Sequence, residues 1–329
     1  MKRFSCPACQ AEVHFDSLSC LRCGTGLAHA PGPAEFHPLH GERAGPCANR
    51  GEIGCNWEAG APGALCEACA LTETIPDLSV PGNVPRWARI EGAKRRLVYS
   101  LKRLRLPVAA ASGERLRFRL MGDAEEPDGS VRRVLTGHDD GVVTLNVAEA
   151  DDAAREATRV AMGEPYRTLL GHFRHEVGHF YFDVLVEEGG HRAEFDGLFG
   201  DPGQDYGAAL RRHYDEGAPP GWADAFVSAY ATSHPWEDWA ETWAHWLHMV
   251  DGLETAAAYG LAEDVDPYGE ASAERLVGAW VPLSIAVNAM NRAMGQADFY
   301  PFVLAPRAVE KIAFVHGLRP GATKAAEAA

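Results

Sequence analysis

The sequence predicts an α+β protein: a small metal-clasped module at the N-terminus, then a mainly helical domain with a small mixed sheet. Three observations predict it. All eight cysteines lie before residue 70. The run His175-Glu176-Val177-Gly178-His179 sits in a stretch whose apolar residues, from Leu169, Leu170 and Phe173 to Val177, Phe180 and Val184, recur at helical spacing. Short alternating stretches at 115–121, 131–136 and 142–147 are followed almost entirely by helical patterns.

The cysteines come in two sets. Cys6-Pro-Ala-Cys9 and Cys20-Leu-Arg-Cys23 are paired knuckles ten residues apart, the spacing of a zinc ribbon, in which two knuckles close one tetrahedral site. Cys47, Cys55, Cys66 and Cys69 form a second set with a wider leading loop, closed by the Cys66-Glu67-Ala68-Cys69 pair. Two structural zinc ions are expected, because so short a segment builds little core and metal binding contributes directly to its folding. This zinc-ribbon module covers residues 1–80, and Pro and Gly between 75 and 85 link it to a second domain at 86–320. The module carries five Lys/Arg against nine Asp/Glu, and each four-thiolate zinc site adds further negative charge. It is therefore a structural or protein-contacting module and a poor binder of phosphates.

The whole chain is acidic, with a formal charge of −15, which argues against a nucleic-acid partner. No apolar run approaches the roughly 18–20 residues that cross a membrane. The opening "MKRFSCPACQ" reaches cysteines without the apolar core of a signal peptide. A cytoplasmic location is expected, where thiols stay reduced and clustered cysteines hold metal.

The remaining elements follow in order. Residues 86–105 read as an amphipathic helix, with Trp87, Ile90, Leu97, Leu101 and Leu104 inward and eight Lys/Arg on a solvated face that meets the acidic body or the acidic module. Turns are expected at Pro127-Asp128-Gly129 and Asp139-Asp140-Gly141. Strand 142–147 offers either ordinary sheet packing or an edge to which an extended peptide adds. A helix over about 150–162 precedes the histidine helix, which begins near Pro165. Residues 189–203 read as a loop, helices are expected at 204–216, 222–231, 236–256, 272–294 and 306–316, and the last ten residues as a frayed tail.

Residues four apart on a helix share a face, so His175 and His179 can hold one zinc ion, with Glu176 placed to take the proton of a water. A third ligand must come from elsewhere. Leu185 stands where a metzincin would supply a histidine, and the candidates are Glu237, Glu241, Asp201, Asp205 and His191.

Tyr230, seven residues before Glu237-Asp238-Trp239-Ala240-Glu241, gives this second motif a resemblance to gluzincin peptidases of the anthrax lethal factor type. The resemblance implies Glu237 as the third ligand, Glu241 as the carboxylate behind the ligands, and Tyr230 as the hydroxyl that steadies an oxyanion. Asp238 departs from it, standing where an aromatic is usual. Taken end to end, with "GHFRHEVGHFYFD" and "HPWEDWAETWAHWLH" as the most specific parts, the chain resembles a bacterial family of zinc-binding metallopeptidases with an N-terminal zinc ribbon. That family carries an N-terminal zinc ribbon and is named from its motif. The residues themselves lead to the expectation of a zincin-like domain with one catalytic zinc beside the two structural ions, a peptide or protein substrate, and a protein partner at the ribbon. The alternative is a zinc-ribbon binding protein whose hydrolase domain is weakly active or inactive.

Overall fold

Two knuckles that grip a metal need little sheet, and the N-terminal strands are correspondingly short. The computed structural model describes residues 1–39, 45–125, 128–262, 265–269 and 272–320. It divides into two compact units, Met1–Arg103 with Arg115–Phe173, and Leu104–Glu114 with Arg174–Ala329. In the first, β1 (Phe4–Ser5) pairs antiparallel with β2 (Glu12–Val13), and β3 (Leu27–Ala30) with β4 (Glu35–Pro38). A single helical turn, α1 (Arg50–Ile53), and β5 (Thr72–Thr74) complete the cysteine-bearing segment.

Its core is an aromatic cage around His29. Phe4, Phe15, Phe36 and Trp57 have ring centroids 5.2–5.6 Å from the imidazole. His29 is fully buried, neither ring nitrogen has a hydrogen-bond partner, and burial takes its pKa down to about 3. Unfolding returns it to an ordinary value near 6.5. The unfolded chain therefore binds a proton that the native chain refuses, and stability is lost as pH falls below 6.5. Between pH 7 and pH 5 this one residue should cost about 2 kcal/mol. Urea unfolding of the zinc-loaded protein at both pH values should show a His29→Leu variant losing that much less than wild type; equal losses refute the assignment.

The next helix, α2 (Asn83–Arg103), buries the expected Trp87, Ile90, Leu97 and Leu101. Its charged face is not all solvated, however. Glu91 and Lys94 are fully buried, Lys94 Nζ donates to Glu91 Oε1 at 2.9 Å, and Thr72 Oγ1 donates to the same oxygen at 2.6 Å. Arg96 and Lys102 form ion pairs with Asp16 and Glu67. The basic helix is thus fastened to the acidic cysteine-bearing segment through both buried and surface charge.

The sheet is mixed, as expected. In the order β5-β6-β10-β9, β6 (Arg117–Met121) runs parallel to β5 and to β10 (Val142–Asn146), and β9 (Gly137–Asp139) runs antiparallel to β10. Asp140 and Gly141, with φ of +44° and +73°, make the tight β9–β10 turn. The strand expected over 131–136 is instead β8 (Val131–Arg132), paired with β7 (Ala124–Glu125) in a separate hairpin. β10 lies between two neighbours and is not an edge for an added peptide. Pro127 of the expected first turn and the tail from residue 321 lie outside the described residues.

α3 (Asp152–Ala161) leads to α4 (Leu169–Tyr181), which starts later than Pro165 because Thr168 Oγ1 accepts from the Gly171 N–H at 2.9 Å and sets the first turn there. The second unit is helical: α5 (Arg192–Phe199), α6 (Tyr206–Glu216), α7 (Pro235–Ala258), α8 (Ala273–Ala293) and α9 (Pro306–Gly317). α5 occupies part of the expected loop at 189–203. The helix expected over 222–231 is reduced to short 3-10 turns at Trp222–Asp224 and Tyr230–Thr232. Trp239, Trp243, Trp246 and Trp280 are fully buried and form the centre of this unit's core. Among the described residues no helix is long and apolar enough to cross a membrane.

Candidate metal centres

The two histidines of α4 meet the acidic residues of α7 because the helices approach closely at one glycine. A Cβ on Gly178 would stand 3.1 Å from the Ala240 Cα and 3.1 Å from the Trp243 ring. Trp239 Nε1 donates to the Gly178 carbonyl at 2.7 Å and fixes the crossing. Phe173, Val177 and Phe180 bury the far side of α4. α7 opens with Pro235 in its first turn, and the His234 ring accepts from the Trp236 N–H, so Glu237 is held in the first turn.

One ligand atom each from His175, His179 and Glu237 lie within 4.8 Å of one another. His175 Nε2 is 3.0 Å from Glu237 Oε2, and His179 Nε2 is 3.7 Å from Glu237 Oε1. On its other side, His175 Nδ1 is 2.8 Å from Glu241 Oε1, and Glu241 Oε2 accepts from Ser228 Oγ at 2.6 Å. Tyr206 donates its hydroxyl to Glu237 Oε1 at 2.7 Å. The Trp236 ring packs 3.9 Å from the His179 ring, and the Tyr230 ring lies 6.0 Å from the His175 ring.

The electrostatics favour positive charge at this point. Burial opposes protonation of His175, but the Glu237 and Glu241 carboxylates outweigh it and hold its pKa well above the ordinary value. Burial raises the Glu237 pKa, yet His179, His175 and Tyr206 bring it down to about 2. A buried carboxylate held ionised beside two imidazoles, with a second carboxylate behind, is a donor set that fits zinc.

The cysteine clusters fit the same metal. Cys6 and Cys23 sulfurs are 3.7 Å apart, and those of Cys9 and Cys20 3.6 Å. In the second cluster, Cys55 is 3.7 Å from both Cys66 and Cys69. A tetrahedron with zinc–sulfur distances of about 2.3 Å has edges of about 3.8 Å. The two knuckles of the first cluster repeat one geometry. The Gln10 N–H donates to the Cys6 carbonyl and the Gly24 N–H to the Cys20 carbonyl, both donors having positive φ. All four thiols of the second cluster are buried. Arg95, also buried, has Nε and Nη1 without a hydrogen-bond partner, and its charge acts on Cys55. A guanidinium so placed is the counter-charge that four buried thiolates around a dication require.

Residues 83–318 match the family described as putative zinc-binding metallo-peptidase. The chain belongs to this family. Residues 3–80 match a zinc-ribbon domain. The same similarity extends to whole proteins: uncharacterized proteins of Mycobacterium bovis and of two Mycobacterium tuberculosis strains are each 44% identical over 328 residues, covering 96% of this chain and 94% of theirs. No solved structure matches.

Within this family member, the other ligand candidates are engaged elsewhere. Asp201 pairs with Arg192 at 3.2 Å, Asp205 accepts from the Ala208 N–H as the N-cap of α6, and His191 is 3.0 Å from Glu194. Glu241 faces His175 Nδ1, away from the cluster of three. Asp238, the departure from the gluzincin pattern, makes a buried 2.6 Å ion pair with Lys311 of α9. Sequence reasoning missed Tyr206 and Ser228. Tyr206 follows the helix-capping Asp205, a signal that α6 begins there, but nothing in that signal points its hydroxyl at Glu237.

Proposed function

We propose that the chain is a zinc-dependent peptidase of the gluzincin type, with one catalytic and two structural zinc ions. The observation that carries this reading is the convergence of His175, His179 and Glu237 within 4.8 Å on two tightly packed helices, with Glu241 on the far nitrogen of His175. His175, His179 and Glu237 would hold the catalytic ion. Zinc bound there supplies a Lewis acid that acidifies water and polarises a carbonyl. The chain's own groups do the rest. The Glu176 carboxylate accepts a proton from the attacking water and returns it to the leaving amine. Glu241 holds His175 by its Nδ1–H, which keeps Nε2 free to bind metal. The Tyr206 hydroxyl occupies Glu237 Oε1 and leaves Oε2 for the ion.

Tyr230 donates to the oxyanion that develops on the scissile carbonyl, a contribution of about 3 kcal/mol for such donors. Burial, then the nearby Glu237 charge, raises its pKa, so the phenol keeps its proton. The substrate is a peptide or protein, and a reducing, cytoplasmic setting suits eight metal-bound thiols.

Metal analysis of protein purified without chelator should give about three zinc ions per chain. Such protein should release new termini from a mixture of unstructured peptides, read by mass spectrometry, and a chelator should abolish this until zinc is restored. A content near two with no chelator-sensitive cleavage sinks the reading.

A further inference from the structure

The first unit contains a basic cavity of about 460 Å³, lined by α2, the start of α3 and the first residues of α4. Ala88, Gly92 and Ala93 make its α2 wall. A Cβ added at Gly92 would have Arg95 Nη2 as its nearest neighbour, at 3.8 Å, so that wall is bare. Four arginines line the cavity, Arg89, Arg95, Arg96 and Arg155, against two carboxylates, Asp16 and Asp152. Arg96 pairs with Asp16 and Arg155 with Asp152, which leaves an excess of two positive charges.

We propose that this cavity binds a phosphate group, free or as the monoester of a small molecule. Two independent features point to an anion. First, Arg95 lines the cavity and is 4% exposed, yet its Nε and Nη1 have no hydrogen-bond partner. The cysteine cluster accounts for the sign of this buried charge but leaves those donors unclaimed. A guanidinium offers five N–H groups in a planar fork that matches phosphate oxygens. Second, the N-terminus of α4 opens here. Thr168 Oγ1 takes the Gly171 N–H, whereas the N–H groups of Leu169 and Leu170, which also line the cavity, have no acceptor within the helix. No acidic side chain stands in the first turn of α4 to take that place. The aligned peptide dipoles add positive potential at this end.

Phosphate fits better than a carboxylate. An excess of two charges matches its dianion, and its oxygens accept more donors than the two of a carboxylate can. Arg89, exposed and with Nη1 on the Ala150 carbonyl at 3.1 Å, adds its charge at the mouth. The volume leaves room for an organic group beside Ala88 and Leu170. The chain's charge of −15 disfavours a long polyanion, but screening over about 8 Å in physiological salt lets the local excess govern a single bound anion.

Calorimetric titration of the full, zinc-loaded chain with inorganic phosphate should show one site, with a Kd below about 1 mM. Glycerol phosphate binding about ten-fold tighter would assign the ester, and equal affinity the free anion. Arg95→Lys keeps the counter-charge to the cysteine cluster but loses the fork. It should weaken binding by about ten-fold or more with zinc content unchanged. Gly92→Leu favours the helix and fills the cavity, so it should abolish binding with every charge in place. A wild type that binds no phosphate at millimolar concentration would overturn the proposal, as would acetate competing equally. Binding that survives both substitutions would place the phosphate elsewhere, at the catalytic zinc for example, and would overturn it too. None of these readouts depends on peptidase activity.

Discussion

Glu176→Gln should lower peptide hydrolysis by about 10²–10⁴-fold, the usual contribution of a general base, while zinc content stays near three per chain. The substitution is close to isosteric and exchanges only a carboxylate for an amide, which cannot take a proton from water. Glu176 lies on α4 between the two histidines and is nearly buried, so its loss should alter neither the helix nor its crossing with α7. Burial, then the Glu237 charge and to a lesser degree that of Glu176, raises the Tyr206 pKa. Hydrolysis at the wild-type rate by Glu176→Gln would remove the peptidase mechanism. An inactive wild type with full zinc would instead favour the ribbon-centred binding protein.

The two kinds of metal cluster were legible in the sequence because ligand spacing is local. Knuckles close over two intervening residues, and helical histidines face together at four. The pairing of α4 with α7 was legible only through resemblance, since the glycine that permits it, Gly178, looks like any variable position inside the histidine motif. Buried charge was not legible at all. Glu91 and Lys94 satisfy each other and Thr72, so residues that periodicity places on a solvated face lie in the core. Element boundaries were lost where side chains outrank propensity. Thr168 starts α4 three residues after Pro165, and Ser228 interrupts the helix expected over 222–231, accepting from the Ala231 N–H while donating to Glu241. α5 was missed because Gly190 and Gly200, with φ of +76° and +96°, flank a helix that is itself of ordinary composition.

Glu237→Ala should reduce the zinc content from about three to about two per chain and abolish hydrolysis. Two neutral imidazoles and one carboxylate leave a zinc ion with net positive charge and an open position, which is what keeps a water acidic. Removing the carboxylate leaves two ligands, too few for a closed or a catalytic site. It also strands the Tyr206 hydroxyl, whose partner is Glu237 Oε1. Glu241→Ala is expected to act differently. It removes the acceptor from His175 Nδ1 without removing a ligand, so affinity for the third zinc should fall by about 10–100-fold, measured by chelator competition, with the two cysteine-bound ions unaffected. The order of the two effects is the test. If Glu237→Ala retains three zinc ions while Glu241→Ala loses one, the ligand is Glu241 and the hydrogen-bonding carboxylate is Glu237, which reverses the assignment on α7.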